Sequence, residues 1–236
     1  MKNCLGAMDD TMILAAAPAH PGNAYRNRHG RIAQNILCAC DFDMNFTYVY
    51  TGCEGTTHDA RIFLDALSRP DNQFTWPASG YYYLVDAAFP CIEMFMPPYP
   101  RERYHRSGCY NEDGFQGYKD YFNYRHSSLR NIIERTFSLL KRRFRILYAM
   151  PPYRPVRQGM IITACCTLYN MIKIVTPNDE IIQGISNHRS EMQNSSTENE
   201  SGETSHVVDM SSESAQAMGA MRDAIALPMW AHRFGQ

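Results

Sequence analysis

The chain has 236 residues, of which 44 % are hydrophobic and 20 % charged, and a formal net charge of −1. This is enough to bury one sizeable core, and one main domain is the expectation. With no run of about 18 apolar residues and no basic, apolar and small-residue leader, the sequence reads as soluble and intracellular, with no membrane partner.

The charge is uneven. Residues 186–236 hold seven acids against three Lys/Arg, which leaves a net +3 on the preceding 185 residues. The eight cysteines are scattered without repeated C-x-x-C spacing, so they read as reduced thiols rather than a disulfide framework or a zinc site. Cys38-x-Cys40 and Cys165-Cys166 lie in apolar runs, where a free cysteine behaves as a small buried hydrophobe.

In chain order, residues 4–9 form a short apolar run that ends in an acid, the pattern of a first strand. Residues 34–41 and 46–52 are two β-rich runs around Asp43-Met44-Asn45, a hairpin. Thr57 to Leu67 places Ile62, Phe63, Ala66 and Leu67 at helical spacing behind a Thr-His-Asp start, so a capped amphipathic helix is expected. Tyr81 to Asp86 is another strand ending in acid, with Tyr81, Tyr82 and Tyr83 as packing residues.

Ala87 to Ser127 is rich in Pro, Tyr and Arg and reads as an irregular insertion with a short strand at Phe95–Tyr99. From Ser128 the apolar stripe Leu129, Ile132, Ile133, Phe137 and Leu140 predicts a helix whose end carries Lys141, Arg142, Arg143 and Arg145. A further helix is expected over about Arg157 to Val175. Residues 186–217 are dominated by Ser, Glu, Asn and Thr and lack the apolar content that offsets ordering entropy, which predicts a disordered linker. Ala217 to Phe234 regains apolar residues and reads as a short helix that docks back on the core. The predicted organisation is a domain over 1–180, a polar linker over 181–217 and a helical segment over 218–236.

Two strands that end in aspartate, with a glutamate one turn into an amphipathic helix, can gather carboxylates at one sheet edge. Hard divalent cations prefer such oxygen donors. Taken singly, each acid has a plainer explanation: strand-end aspartates cap turns, and helical glutamates are solvated. Spacing leaves both explanations open.

Local motifs add what spacing lacks. Gly6-Ala7-Met8-Asp9, Tyr25-Arg26-Asn27-Arg28-His29-Gly30, Gln34-Asn35, Cys40-Asp41 and Gly52-Cys53-Glu54-Gly55-Thr56-Thr57-His58-Asp59-Ala60-Arg61 resemble the first half of Harbinger-superfamily (PIF/Harbinger) transposases. Tyr83-Leu84-Val85-Asp86-Ala87-Ala88-Phe89-Pro90, Pro98-Tyr99 and Asn131-Ile132-Ile133-Glu134-Arg135-Thr136-Phe137 through Phe144 resemble the second half, in the same order. The resemblance covers about residues 3–175, and the terminal Met221 to Trp230 is similar to the tail of plant members.

The resemblance implies an α/β, RNase H-like mixed sheet flanked by helices. It further implies a DDE-type endonuclease with Asp9, Asp86 and Glu134 as catalytic and metal-binding acids and Asp59 as a further metal ligand. Two Mg²⁺ or Mn²⁺ ions would activate the attacking water and stabilise the leaving oxygen of a DNA phosphodiester. The four carboxyl groups are then expected to converge within roughly 10 Å. DNA is the expected partner and the nucleus the expected location, with the cytoplasm as the alternative. Relatives carry a helical region ahead of the first strand with DNA-binding or dimerisation roles, so a separate DNA-binding protein is expected to supply that function.

Arg26, Arg28, His29 and Arg31 lie in a loop suited to phosphate contact, and Lys141, Arg142 and Arg143 could grip phosphates beside the cut site or form a nuclear-import signal. His58 could orient Asp59 or serve as a helix cap. The family's usual Asp-Gly-Thr-His appears here as Asp9-Asp10-Thr11-Met12, a departure that favours an alternative: a catalytically inactive remnant that acts as a DNA- or chromatin-associated protein. A phosphatase or another small-substrate metal hydrolase fits the carboxylates but not the basic helix.

Overall fold

The computed structural model describes residues 1–15, 33–54, 59–68, 74–102, 114–176, 179 and 208–235. Within them the chain forms β1 (Cys4–Leu14), β2 (Ala33–Cys40), β3 (Phe46–Glu54), α1 (Asp59–Ser68), β4 (Tyr82–Leu84), β5 (Phe95–Met96), α2 (Tyr118–Arg143), α3 (Pro155–Val175) and α4 (Ser212–Phe234). A single 3₁₀ turn, Arg145–Leu147, separates α2 from α3.

The five strands form one mixed sheet in the order β3-β2-β1-β4-β5. β1 pairs antiparallel with β2, which pairs antiparallel with β3, while β1–β4 and β4–β5 are parallel. The hairpin turn closes through Asp41, whose Oδ1 accepts from the Asn45 N–H at 2.8 Å, with Met44 in the left-handed region at φ 63. A meander of three antiparallel strands followed by two parallel ones, with helices on both faces, is the RNase H-like arrangement.

Strand alternation divides the core into two layers. Ala7 and Ile13 of β1, Ile36, Cys38 and Cys40 of β2, and Leu84 of β4 face α2, α3 and α4. Met8, Leu37 and Ala39 face the opposite way, onto Ile62, Phe63 and Ala66 of α1 and onto Phe89 and Phe95. The Phe63 ring meets Phe95 edge-on at 4.7 Å and Phe89 at 5.3 Å. At Gly6, φ is +154 and the β1–β4 register shifts; a side chain there would collide with the Cys40 carbonyl of the neighbouring strand.

Four elements differ from the sequence expectation. β1 runs on to Leu14, five residues past the expected end at Asp9, because its pairing with β2 continues to Leu14 opposite Ala33 and buries Ile13, so Asp9 is a mid-strand residue and not a strand-end acid. α2 begins at Tyr118, ten residues before the predicted start at Ser128, so the end of the expected insertion is helical. Its first turns bury Asp120, Asn123 and His126, which erases the apolar period although the face is inward. Asn123 holds the Tyr99 backbone and His126 the Met96 carbonyl, so polar side chains on this face do the work that apolar packing does later in the helix.

α4 begins at Ser212, within the stretch expected to be linker. Ser211 caps it, its hydroxyl accepting from the Ser214 N–H at 3.1 Å, and the Ser214 hydroxyl accepts from the Glu93 N–H at 2.9 Å. These serines are a cap and a docking contact, which polar composition alone does not distinguish from linker. Farther along α4, Arg222 donates to the Pro97 and Pro98 carbonyls at 3.0 and 3.1 Å and lies 4.1 Å over the Tyr99 ring. The rest of the expected linker, residues 181–207, lies outside the described residues.

α3 is long and apolar enough to cross a membrane by length and composition, although it is not an unbroken apolar run. It packs along β3 with Ile162, Cys165, Cys166 and Tyr169 buried, and Asn170 bonds both main-chain groups of Phe46, at 2.9 and 2.8 Å.

Candidate active site

Asp9 lies in mid-β1 with the parity of Ala7 and Ile13, so its side chain points to the α2 face. β4 runs parallel to β1 with Ala7 level with Leu84. Two residues beyond each of these, past the end of β4, Asp86 therefore stands beside Asp9, both within reach of one guanidinium. Sequence separation carries no trace of this meeting; the register does.

The third acid reaches the same place from above. α2 crosses β1 and β4, and His126, Arg130 and Glu134, four residues apart, form one stripe along the helix. Arg130 is the hub: its guanidinium pairs with the Asp9 carboxylate through Nη1, with Glu134 at 2.8 Å and with Asp86 at 3.8 Å through Nη2. Arg130 and Asp9 side chains are 8 % and 13 % exposed, whereas Asp86 and Glu134 are 42 % and 54 % exposed. The site thus has a buried floor and an open rim.

The acids are held at their other atoms as well. Asp9 Oδ1 accepts from the Asp10 N–H at 2.9 Å, and Asp86 Oδ1 accepts from the Ala87 N–H. Burial pushes the Asp9 carboxyl up to about 7; the Arg130 guanidinium opposes this, and the Asp10 and Asp86 carboxylates add to it. His126, one turn before Arg130, has its pKa pushed down to about 4 by burial and is a neutral imidazole whose Nε2–H donates to the Met96 carbonyl at 2.9 Å.

Asp9, Asp86 and Glu134 are therefore brought together around one guanidinium. Asp59 opens α1, and its side chain lies outside the described residues, as do Arg26, Arg28, His29, Arg31 and His58. Asp10 and Met12 carry the parity of Met8, which places them on the sheet face opposite the three acids.

The basic end of α2 is divided. Lys141 is drawn inward: its Nζ donates to Thr11 Oγ1 at 2.8 Å and to the Met12 carbonyl at 3.1 Å, and burial lowers its pKa. Arg143 pairs with Asp179 at 2.7 Å. Arg142 is exposed.

Sequence reasoning missed Arg130 and His126. The available signal was the four-residue spacing from Glu134, which puts all three on one helix face.

The donor set is three carboxylates from three elements, gathered around positive charge and open to solvent on one side. Hard oxygen donors of this kind suit Mg²⁺ or Mn²⁺. Among the described residues, no three such groups stand close enough to ligate one ion together; the space between Asp9, Asp86 and Glu134 holds the Arg130 guanidinium.

The family described as DDE superfamily endonuclease matches residues 8–170. The protein named "Putative nuclease HARBI1" is 28 % identical in Rattus norvegicus over 181 residues, covering 72 % of this chain and 46 % of the rat protein. The human and Xenopus laevis proteins of that name are 27 % and 26 % identical over 175 and 171 residues. The chain thus spans less than half the length of these relatives. No solved structure gives a significant match.

Proposed function

Because the chain belongs to the DDE superfamily endonuclease family, we propose that it is a divalent-metal-dependent nuclease that hydrolyses DNA phosphodiester bonds in the nucleus. The observation that carries this reading is the meeting of Asp9, Asp86 and Glu134 at one partly open place, reached from β1, from the end of β4 and from α2.

Asp9, Asp86 and Glu134 would hold the metal, with Asp59 as a fourth candidate ligand. A divalent ion held there would supply Lewis-acid activation of water and charge neutralisation at the phosphate and the leaving oxygen. The chain's own part is positional. Main-chain N–H groups of Asp10 and Ala87 hold one oxygen of Asp9 and of Asp86, which fixes the direction of each carboxylate. The exposed rim at Asp86 and Glu134 admits a DNA backbone, while the buried Asp9 anchors the floor. Arg142, exposed on the basic end of α2, is a candidate to add attraction for phosphate. DNA is the proposed substrate, with Arg26, Arg28 and Arg31 as further candidates for contact.

Purified protein incubated with plasmid DNA in Mg²⁺ or Mn²⁺ should nick or linearise it, and chelation should stop the reaction. Asp86→Ala should lower the rate about 100-fold or more, the scale of losing one preorganised charge-stabilising group. An unchanged rate in Asp86→Ala, or no cleavage by the wild type in either metal, overturns the reading.

A further inference from the structure

The guanidinium at the centre of the acid cluster is itself a cation in the position where the acids would receive one. It is nearly buried, arises from α2 one turn before Glu134, and meets carboxylates from all three elements of the site. Its planar fork suits such pairing, with Nη1 serving Asp9 and Nη2 serving Glu134 and Asp86.

Two features argue that this arrangement is one of two. A divalent ion binds carboxylate oxygen at about 2.1 Å in near-octahedral Mg²⁺ sites, and among the described residues no three ligand side chains stand that close to one point while Arg130 lies between Asp9, Asp86 and Glu134, so an ion shared by the three would take the guanidinium's place. Asp9 has its other oxygen committed to the Asp10 N–H, so the oxygen turned toward Arg130 is the one it can offer an ion. The second feature is charge. One guanidinium offsets only one of three carboxylates, whereas a divalent ion offsets two, so the ion is the stronger counter-charge for the same group of acids.

We propose that Arg130 is an internal counter-ion that holds Asp9, Asp86 and Glu134 together without metal and is displaced from them when a divalent ion binds. Arg130 is a positioning residue in this account, and the proposal rests on the metal-dependent reading above. It makes metal affinity the difference between two ion pairings: weaker than the acids alone would provide, but with a site already assembled before the ion arrives.

The test uses Mn²⁺ as the probe and two readouts that do not depend on cleavage. Calorimetric titration of the wild type and Arg130→Gln should show Mn²⁺ binding about tenfold tighter in the variant, the size expected when a competing pairing of about 1.4 kcal/mol is removed. Removing any nearby positive charge strengthens cation binding to some degree, so the second readout reports displacement itself. Wild-type protein is treated with phenylglyoxal, and modification of Arg130 is quantified by peptide mass spectrometry with and without saturating Mn²⁺.

Arg130 should be protected without metal and become reactive with it. Protection that persists at Mn²⁺ saturation overturns the proposal and leaves the metal-dependent reading standing. Absence of any Mn²⁺ binding by the wild type overturns both. Should Arg130→Gln fail to fold, labelling of the wild type decides alone.

Discussion

Asn123 holds Tyr99 by both of its main-chain groups: the carboxamide oxygen accepts from the Tyr99 N–H at 2.8 Å, and the amide donates to the Tyr99 carbonyl at 3.0 Å. This buried clamp joins α2 to the segment after β5, one turn from His126 and two from Arg130. It therefore sets how the helix that carries Arg130 and Glu134 sits on the sheet edge.

Asn123→Ala leaves a buried donor and a buried acceptor unmatched, which should lower stability by about 3 kcal/mol. Asn123→Asp keeps the acceptor but turns an anionic oxygen toward the Tyr99 carbonyl and should be worse. Urea unfolding of the two variants against wild type measures both losses, and equal midpoints for all three proteins would show that the clamp contributes nothing.

His126 gives a pH dependence with a defined sign. Its folded pKa lies at about 4 against 6.5 for the free side chain, so between those values the unfolded chain binds a proton that the folded chain refuses. Its contribution is complete above pH 6.5 and is lost as pH falls toward 4, by up to about 3 kcal/mol. Asp9 acts the opposite way in nearly the same window: its folded pKa is raised to about 7, so its contribution is largest at low pH and disappears as pH rises through 7. The two oppose each other in the total. Comparison of wild type with His126→Gln, which keeps a donor for the Met96 carbonyl, isolates the histidine. The stability of wild type relative to this variant should fall as pH is lowered from 6.5 to 4, and a constant difference would refute the assignment.

The basic end of α2 should separate into a structural and a surface residue. Lys141 ties α2 to Thr11 and Met12 on β1 from a half-buried position, so Lys141→Ala should cost about 1–2 kcal/mol of stability. Arg142 is exposed, and Arg142→Ala should leave the unfolding midpoint unchanged. If Arg142 contacts a phosphate, the variant should bind duplex DNA more weakly, with a salt dependence shallower by about one unit. Fluorescence anisotropy at several salt concentrations measures this, and unchanged affinity and slope would remove Arg142 from the DNA surface.

Much of the fold is legible locally. The apolar runs at residues 4–9, 34–41, 46–52 and 81–86 each fall on or overlap a strand, and the stripe Leu129, Ile132, Ile133, Phe137 and Leu140 lies within α2. Burial of one face imposes a period that the residues themselves carry. Where buried residues are polar, the period is lost: Asp120, Asn123 and His126 face inward yet read as loop, and Ser211 and Ser214 cap and dock a helix yet read as linker.

The acids themselves were visible in the sequence, each at the end of an apolar run or within a motif. Their meeting was expected from the family resemblance alone; composition and spacing did not require it. Asp9 and Asp86 stand together because parallel pairing sets Ala7 level with Leu84, and pairing register is a non-local choice settled by burial of both sheet faces. Arg130 joins them because Asn123, His126 and the apolar stripe seat α2 at one rotation over that edge, turning the fourth residue before Glu134 inward. Composition and periodicity determined which residues could bear charge at the ends of apolar runs and along a helix. Only the packing of that helix across two parallel strands decided that one arginine would stand among three acids.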